Sequence, residues 1–136
     1  MLRFIVLAAF LGVAIACTCR WYTEKQAFCE ASFVSVLSFY RKTLRGNDFV
    51  YKAKIKRSDP GFPNGTLTIS TSKEEDNCGL PHLPNFVDYL ITGMRVWNTT
   101  KYRMYHCGQV QLRRWADVTS EVKLALENGE YYPCDQ

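Results

Sequence analysis

Apolar and polar residues alternate along several stretches of the chain, a pattern typical of strands that are buried on one face only. The clearest case is the stretch 49–56, where lysines alternate with apolar or small residues. Four other stretches are rich in β-branched and aromatic residues and are bounded by turn-forming residues. The predicted strands are Ser32–Tyr40, Phe49–Lys56, Thr66–Thr71, Val87–Val96 and Tyr102–Cys107.

The alternation also predicts which side chains enter the core, because successive strand residues point to opposite faces of a sheet. In the second strand the core face would carry Tyr51, Ala53 and Ile55, and the solvent face would carry Lys52, Lys54 and Lys56. In the third strand, Leu67 and Ile69 would share the core face.

Short helices are predicted before and after the strands. The sequence Thr23-Glu24-Lys25-Gln26 has the spacing of a capping box and predicts a helical turn that runs into Cys29. Apolar residues at helical spacing between 115 and 126 predict a second helix, with Asn128-Gly129 as its end. We therefore predict a mainly β fold, a five-stranded Greek-key barrel of the OB type with short flanking helices.

The first sixteen residues have the features of a secretory signal peptide. Arg3 precedes an apolar run, and the small residues Ala14 and Ala16 stand where the leader would be cut. Cleavage after Ala16 would leave one domain, 17–136, that begins at Cys17. The run is shorter than the roughly 20 apolar residues of a membrane span. We therefore expect a secreted, extracellular protein with no membrane partner.

Composition and charge narrow the class of protein. Aromatic residues make up 14% and charged residues 22% of the chain, which argues against disorder. The formal net charge is only +4, well short of the usual charge of a nucleic-acid-binding domain. We therefore expect a folded, monomeric domain with no nucleic-acid partner.

The six cysteines predict a disulfide framework, because their number is even and the chain is short and apparently exported. They are Cys17, Cys19, Cys29, Cys78, Cys107 and Cys134. Cys17 and Cys19 would point to opposite sides of an extended segment, so each is expected to bond a distant cysteine. The residues alone leave the choice of partners open.

Two alternatives for these cysteines are less favoured. A zinc site built from Cys-x-Cys with His82 and His106 would lack the paired Cys-x₂-Cys spacing of structural zinc. A lipid-modified Cys17 is loosely compatible with the preceding residues, but the other paired cysteines argue against it.

No catalytic motif is present, so we do not expect an enzyme. The two histidines stand in unrelated contexts, and metalloprotease, hydrolase and phosphate-loop motifs are missing. The acidic run Glu74-Glu75-Asp76 is interpreted as a solvated loop. The lysine row 52–56 continues into Arg57, and Arg41-Lys42 and Arg45 lie upstream. It is interpreted as a solvated sheet face, with binding of sulfated glycans or acidic partners as the alternative.

Two Asn-x-Thr motifs fall in predicted turns, at Asn64 and Asn98, and mark possible N-glycosylation sites.

The predicted mature N-terminus offers a distinct chemistry. A free α-amino group on Cys17 has an ordinary pKa near 8, so an appreciable fraction is neutral at physiological pH. The neutral amine and the adjacent carbonyl form a bidentate chelate, which could displace the water on an exposed catalytic zinc. The alternative is that the early cysteines only secure a fraying terminus.

The pattern of cysteines resembles that of the N-terminal domain of the tissue inhibitors of metalloproteinases. The segments that carry the resemblance are Cys17-Thr18-Cys19, Ala27-Phe28-Cys29, Cys78-Gly79 and the 29-residue spacing from Cys78 to Cys107. That family is netrin-like, within the OB folds, and the resemblance covers the chain from Cys17 to Cys134. It implies the disulfides Cys17–Cys78, Cys19–Cys107 and Cys29–Cys134. It also implies that Cys17 chelates the zinc of a target protease of the matrix, disintegrin or astacin type, with no cofactor of the chain's own.

The resemblance further implies a protease-binding ridge in two strips. The first strip would comprise Cys17, Thr18, Cys19, Arg20 and Trp21, with Thr18 entering the pocket beside the zinc. The second would comprise Asp76, Asn77, Cys78 and Gly79. The chain departs from the family at Arg20-Trp21, where Val-Pro is common, and in its acidic run before Cys78. It ends two residues after Cys134, so we expect a single-domain form. The alternative function is a netrin-like module that inhibits no protease and binds a glycan or an extracellular or host protein through the basic face or the Arg20-Trp21 edge.

Overall fold

Five strands close into a barrel in the computed structural model, which describes residues 17–58 and 65–134. The strands are β1 (Phe33–Arg45), β2 (Asp48–Ser58), β3 (Gly65–Ser72), β4 (Asp88–Arg95) and β5 (Tyr102–Met104). They are ordered β1-β2-β3-β5-β4, and β4 pairs with β1 to close the sheet. Among the strands of the described residues, β3 and β5 alone pair in parallel. The prediction of a mainly β, OB-type barrel is confirmed. The predicted leader and Asn64 lie outside the described residues.

The first part of β1 is almost continuously apolar because both of its faces are covered. Leu37 and Phe39 are buried in the barrel interior, whereas Val34 and Val36 are buried on the outer face against the helices. A strand covered on both faces loses the alternation that marks a half-buried strand. β1 also runs to Arg45, beyond the predicted end, because its last residues pair with β2 while their side chains are exposed.

β2 and β3 follow the predicted pattern. Tyr51 and Ala53 are fully buried, Ile55 is partly buried, and Leu67 and Ile69 face the core. The three lysines of β2 are exposed, as predicted: Lys52, Lys54 and Lys56.

β5 is shorter than predicted, because the chain leaves the barrel after Met104. The His106 amide donates to the Cys78 carbonyl (2.8 Å) rather than to a strand of the barrel. The amide side chain of Gln109 then takes the place of a strand partner for β4. Its Oε1 accepts from the Thr92 amide, and its Nε2 donates to the Thr92 carbonyl, both at 2.8 Å.

The helices begin and end where their caps are placed. α1 (Glu24–Glu30) starts with the predicted capping box, in which Thr23 and Gln26 exchange hydrogen bonds of 3.1 and 3.0 Å. α2 (Ser120–Asn128) ends at Gly129, whose φ of 65° is the left-handed conformation that glycine favours. Trp115 begins a separate 3-10 helix, Trp115–Asp117. Neither of these described helices is long and apolar enough to cross a membrane.

An ion pair supports the barrel beside the β1–β2 turn. The Arg103 guanidinium donates to both carboxylate oxygens of Asp48, at 2.8 and 3.1 Å, and reaches Ser70. Hydrogen bonding to Arg103 lowers the pKa of the Asp48 carboxyl. This pair joins β2 to β5 across β3.

Buried polar side chains tie the segment after Cys78 to the barrel. The Thr71 hydroxyl donates to the Met104 carbonyl (2.8 Å) and accepts from the Leu80 amide (3.0 Å). Leu80 is also bound through its carbonyl, which accepts from the Tyr51 hydroxyl (2.9 Å). Burial raises the pKa of Tyr51, so its phenol remains a donor. The backbone of Leu80 is therefore held by two strands at once.

The substitution Thr71→Val tests this connection. Both hydrogen bonds of the hydroxyl are lost and the buried Leu80 amide has no partner, so we expect unfolding free energy to fall by about 2–3 kcal/mol. Chemical denaturation measures the change. Thr68→Val, an exposed change on the same strand, is the matched control and should stay within about 0.5 kcal/mol of wild type. Equal denaturation midpoints for the two variants would contradict the assignment.

Candidate functional site

Three chain segments meet at one edge of the barrel, where two disulfides lie side by side. Cys17 bonds Cys78, and Cys19 bonds Cys107, with Cα separations of 5.0 and 5.4 Å. The Sγ atom of Cys107 is 3.6 Å from that of Cys17 and 3.7 Å from that of Cys78. Cys17 and Cys19 thus reach distant partners, as expected, but those partners belong to adjoining segments. Both bridges therefore fix one short N-terminal segment.

The third disulfide lies elsewhere. Cys29 at the end of α1 bonds Cys134, with a Cα separation of 5.3 Å. Phe28 packs against Tyr131 and Tyr132 beside it. The three pairs are those that the family resemblance implies, and only two of them bear on the ridge.

The first strip of the ridge, residues 17–21, is largely open to solvent. Trp21 is 82% exposed, and Thr18 is also exposed. Arg20 instead turns back to α1, where it pairs with both carboxylate oxygens of Glu30 (2.8 and 3.0 Å) and stacks on the Tyr22 ring. Contacts with Tyr22 and Glu30 raise the pKa of Arg20. Arg20 and Trp21, where the chain departs from the family pattern, are therefore placed differently. The Arg20 side chain is bound to α1, whereas the Trp21 side chain is exposed and available to a partner.

The second strip is a tight turn that is closed by hydrogen bonds of its own backbone. The Glu74 carbonyl accepts from the amides of Asn77 and Gly79, both at 3.1 Å, around the 3-10 helix Glu75–Asn77. Gly79 has no alternative, because a Cβ there would overlap the carbonyl of Ser72. Glu74, Glu75, Asp76 and Asn77 are exposed around this rigid backbone.

A cavity of about 460 Å³ opens beside Cys17. Its wall includes Glu75, Asp76 and the loop 79–83, together with both histidines of the chain. His82 Nε2 lies 3.5 Å from Glu75 Oε1. The sequence places His82 and His106 in unrelated contexts, and only the folding of the 78–83 loop brings them to one wall.

A second cavity of about 490 Å³ adjoins the ridge through Asn77, Cys78 and Cys107. Its remaining wall comes from α1, β4 and the residues after β5, and includes Tyr22, Met94 and Tyr105. This wall is more apolar than that of the first cavity, although it includes Glu30, whereas the first carries two carboxylates and two imidazoles. The ridge therefore has chemically different surroundings on its two sides.

The sulfur atoms of Cys17, Cys78 and Cys107 lie within 4.8 Å of one another, a spacing that would suit a metal ion. All three atoms are bonded in disulfides, however, whereas metal ions bind the thiolate form of cysteine. Their proximity reflects the packing of two bridges.

The basic residues singled out in the sequence are divided by the fold. Arg57 pairs with Glu127 (3.1 Å), and Lys42 donates to the Pro81 carbonyl (2.9 Å). In the described part of the chain, no carboxylate lies within 4 Å of the β2 lysines 52, 54 and 56. Arg41 of β1 lies opposite Lys52 of β2 in the strand register and is also exposed. This outer face is separate from the ridge.

Comparison with known proteins adds no family assignment: no protein-family model matches the chain, and no curated protein is found that matches it.

Removal of the Cys17–Cys78 bridge tests how the ridge is held. In the variant Cys17→Ser/Cys78→Ser we expect amide hydrogen exchange at Asn77 and Gly79 to accelerate at least about tenfold. Stability should fall by at most about 4 kcal/mol, since Cys19–Cys107 remains. The control, Cys29→Ser/Cys134→Ser, should leave exchange at these amides unchanged after allowance for global stability. Equal acceleration in both variants would show that the bridge has no local role.

Proposed function

We propose that this chain is a secreted inhibitor of zinc metalloproteases, and that the mature N-terminus is the inhibitory group. The observation that carries the proposal is the pair of adjacent disulfides that fixes residues 17–19 at an exposed edge of the barrel. Cleavage after Ala16 would make Cys17 the first residue. Its amine and carbonyl would then be presented on a rigid support.

The chemistry of the target's zinc explains why such a terminus inhibits. A catalytic zinc in a protease has three protein ligands and one position open to water. The neutral α-amine and the carbonyl oxygen of Cys17 can bind that zinc as a five-membered chelate ring, which displaces the water and makes the zinc five-coordinate. The zinc belongs to the target, and the inhibitor needs no cofactor.

The two strips of the ridge supply the remaining contacts. Thr18 follows the chelating residue directly and would enter the specificity pocket next to the zinc, while Trp21 would extend the contact along the cleft. The turn 76–79 would contact the cleft beside Cys17, to which it is bonded through Cys78. Because both strips are ordered before binding, little conformational entropy is lost on association. Inhibition would be stoichiometric and non-covalent.

The cysteine spacing supports this function independently of the geometry, since it resembles that of the tissue inhibitors of metalloproteinases. Matrix, disintegrin-type and astacin-type proteases are the candidate targets. Trp21 differs from the common family residue and is exposed, so we expect it to influence which class is inhibited.

One added alanine before Cys17 tests the mechanism. The extension converts the α-amine into an amide, which is a poor zinc ligand, so we expect inhibition to weaken at least about a hundredfold. Titration against a panel of the three protease classes measures the effect. A variant with one alanine added after Gln136 has the same composition and should inhibit like wild type. Intact mass should show three disulfides in all three proteins, and unchanged potency in the extended variant would refute chelation.

The exposed lysines of β2 favour a second candidate function, a binding module for sulfated glycans. Lys52, Lys54 and Lys56 project from one face of a strand, without a described acidic partner. Regularly spaced, unpaired cations attract a linear polyanion.

Heparin affinity distinguishes this candidate. If the face binds glycan, replacing the three lysines with glutamine should abolish retention on heparin at physiological salt. The control replaces Lys25, Lys73 and Lys101, which removes the same charge from other surfaces. Equal loss in both variants would indicate a nonspecific effect of net charge, and no retention of wild type at low salt would exclude the function.

A further inference from the structure

We propose that Asn98 carries an N-linked glycan and that the first sugars of this glycan pack on the indole of Trp97. Asn98 lies in the turn between β4 and β5, in the motif Asn98-Thr99-Thr100, and the ridge does not use this turn. Asn98, Thr100 and Trp97 are exposed.

The hydrogen bonds of the turn are made by Thr99 and leave the acceptor motif free. The Thr99 hydroxyl donates to the Val96 carbonyl (2.7 Å) and accepts from the Lys101 amide (3.2 Å). The Thr99 carbonyl accepts from Arg95 Nε (2.5 Å). Among the described residues, the side chains of Asn98 and Thr100 form no hydrogen bond. The amide that would be modified and the hydroxyl two residues later are therefore both available to an enzyme.

Asn98 is an exposed residue of this turn with a left-handed backbone. Its φ of 58° is left-handed, a conformation that asparagine tolerates better than most residues. The Val96 amide donates to the Lys101 carbonyl (2.8 Å) and closes the turn beneath it. Modification can thus take place without disturbing β4 or β5.

The chemistry requires a lipid-linked oligosaccharyl pyrophosphate as the donor, which the secretory pathway supplies. The Asn98 Nδ2 atom forms a bond to the anomeric carbon of the first sugar. The bond from that carbon to the pyrophosphate oxygen breaks, the lipid pyrophosphate leaves, and Nδ2 loses one proton. The three disulfides are compatible with this route, since such bonds form and persist in oxidising compartments.

Trp97 indicates where the glycan would lie. Its side chain is 90% exposed, more than any other large apolar residue described as exposed. It directly precedes the acceptor, and the C–H faces of a sugar are apolar enough to pack on an aromatic ring. A glycan on Asn98 would remove this indole from water.

The position of the turn would leave the ridge accessible. β5 begins at Tyr102 beside the turn and leads away from it to His106, whose amide bonds the ridge at Cys78. Asn98 therefore precedes the three-residue strand β5 in the chain, and the ridge residue Cys107 follows it. Failure of the inhibitor proposal would not affect this assignment.

The test is secretion of the full chain from eukaryotic cells in the Asn64→Gln background, in which Asn98-Thr99-Thr100 is the remaining motif. We expect intact mass to show one glycan, which peptide mapping places on Asn98 and which Thr100→Ala abolishes. Asn85→Gln, outside any such motif, is the matched control. Asn98 unmodified in the secreted protein would overturn the assignment.

Enzymatic removal of the glycan tests the contact with Trp97. We expect the thermal midpoint to fall by about 2–4 °C on deglycosylation, and this change to disappear in Trp97→Ala. The same fall in both proteins would refute packing on the indole. Protease titration before and after deglycosylation should give equal inhibition where inhibition is observed.

Discussion

The junction of two adjacent disulfides is the constraint on which the exposed edge of this barrel depends. Residues 17–21 form neither strand nor helix and are mostly exposed, so packing alone contributes little to holding them in one conformation. Cys17–Cys78 and Cys19–Cys107 fix this segment to two loops that leave adjacent strands. The two disulfides therefore hold this exposed segment in place of apolar packing.

A cross-link transmits order only if its other end is itself rigid, and the barrel supplies that rigidity. The loop at Cys78 is continuous with Leu80, whose amide and carbonyl are bound by Thr71 and Tyr51. Both side chains are fully buried, and the close approach at Gly79 admits no Cβ. The position of Cys17 thus depends on strand residues more than thirty positions away in the chain.

Much of the fold was predictable because its determinants are local. The alternation in 49–56 and the capping box at Thr23 depend on neighbouring residues, and both appear in the structure as predicted. The end of β1 and the end of β5 depend on tertiary pairing and were misplaced. The full reach of β1 comes from its hairpin with β2, and β5 stops where the backbone bonds Cys78.

The candidate site was predictable to the extent that covalent bonds define it. The resemblance to the tissue inhibitors of metalloproteinases implied which cysteine-bearing segments meet, but not what surrounds them. The engagement of Arg20 with Glu30 and the arrival of His82 and His106 at one cavity depend on how α1 and the 78–83 loop fold. The chemistry of the surface around the ridge is therefore set by residues outside the cysteine pattern, such as Glu30, His82 and His106. The cavity beside Cys17, which carries carboxylates and imidazoles, and the more apolar cavity beside Cys78 give the surroundings of the ridge different chemistry. A partner that covers the ridge would contact both cavities, so in the proposed inhibitor selectivity among proteases would depend on these flanks as well as on the N-terminus at Cys17.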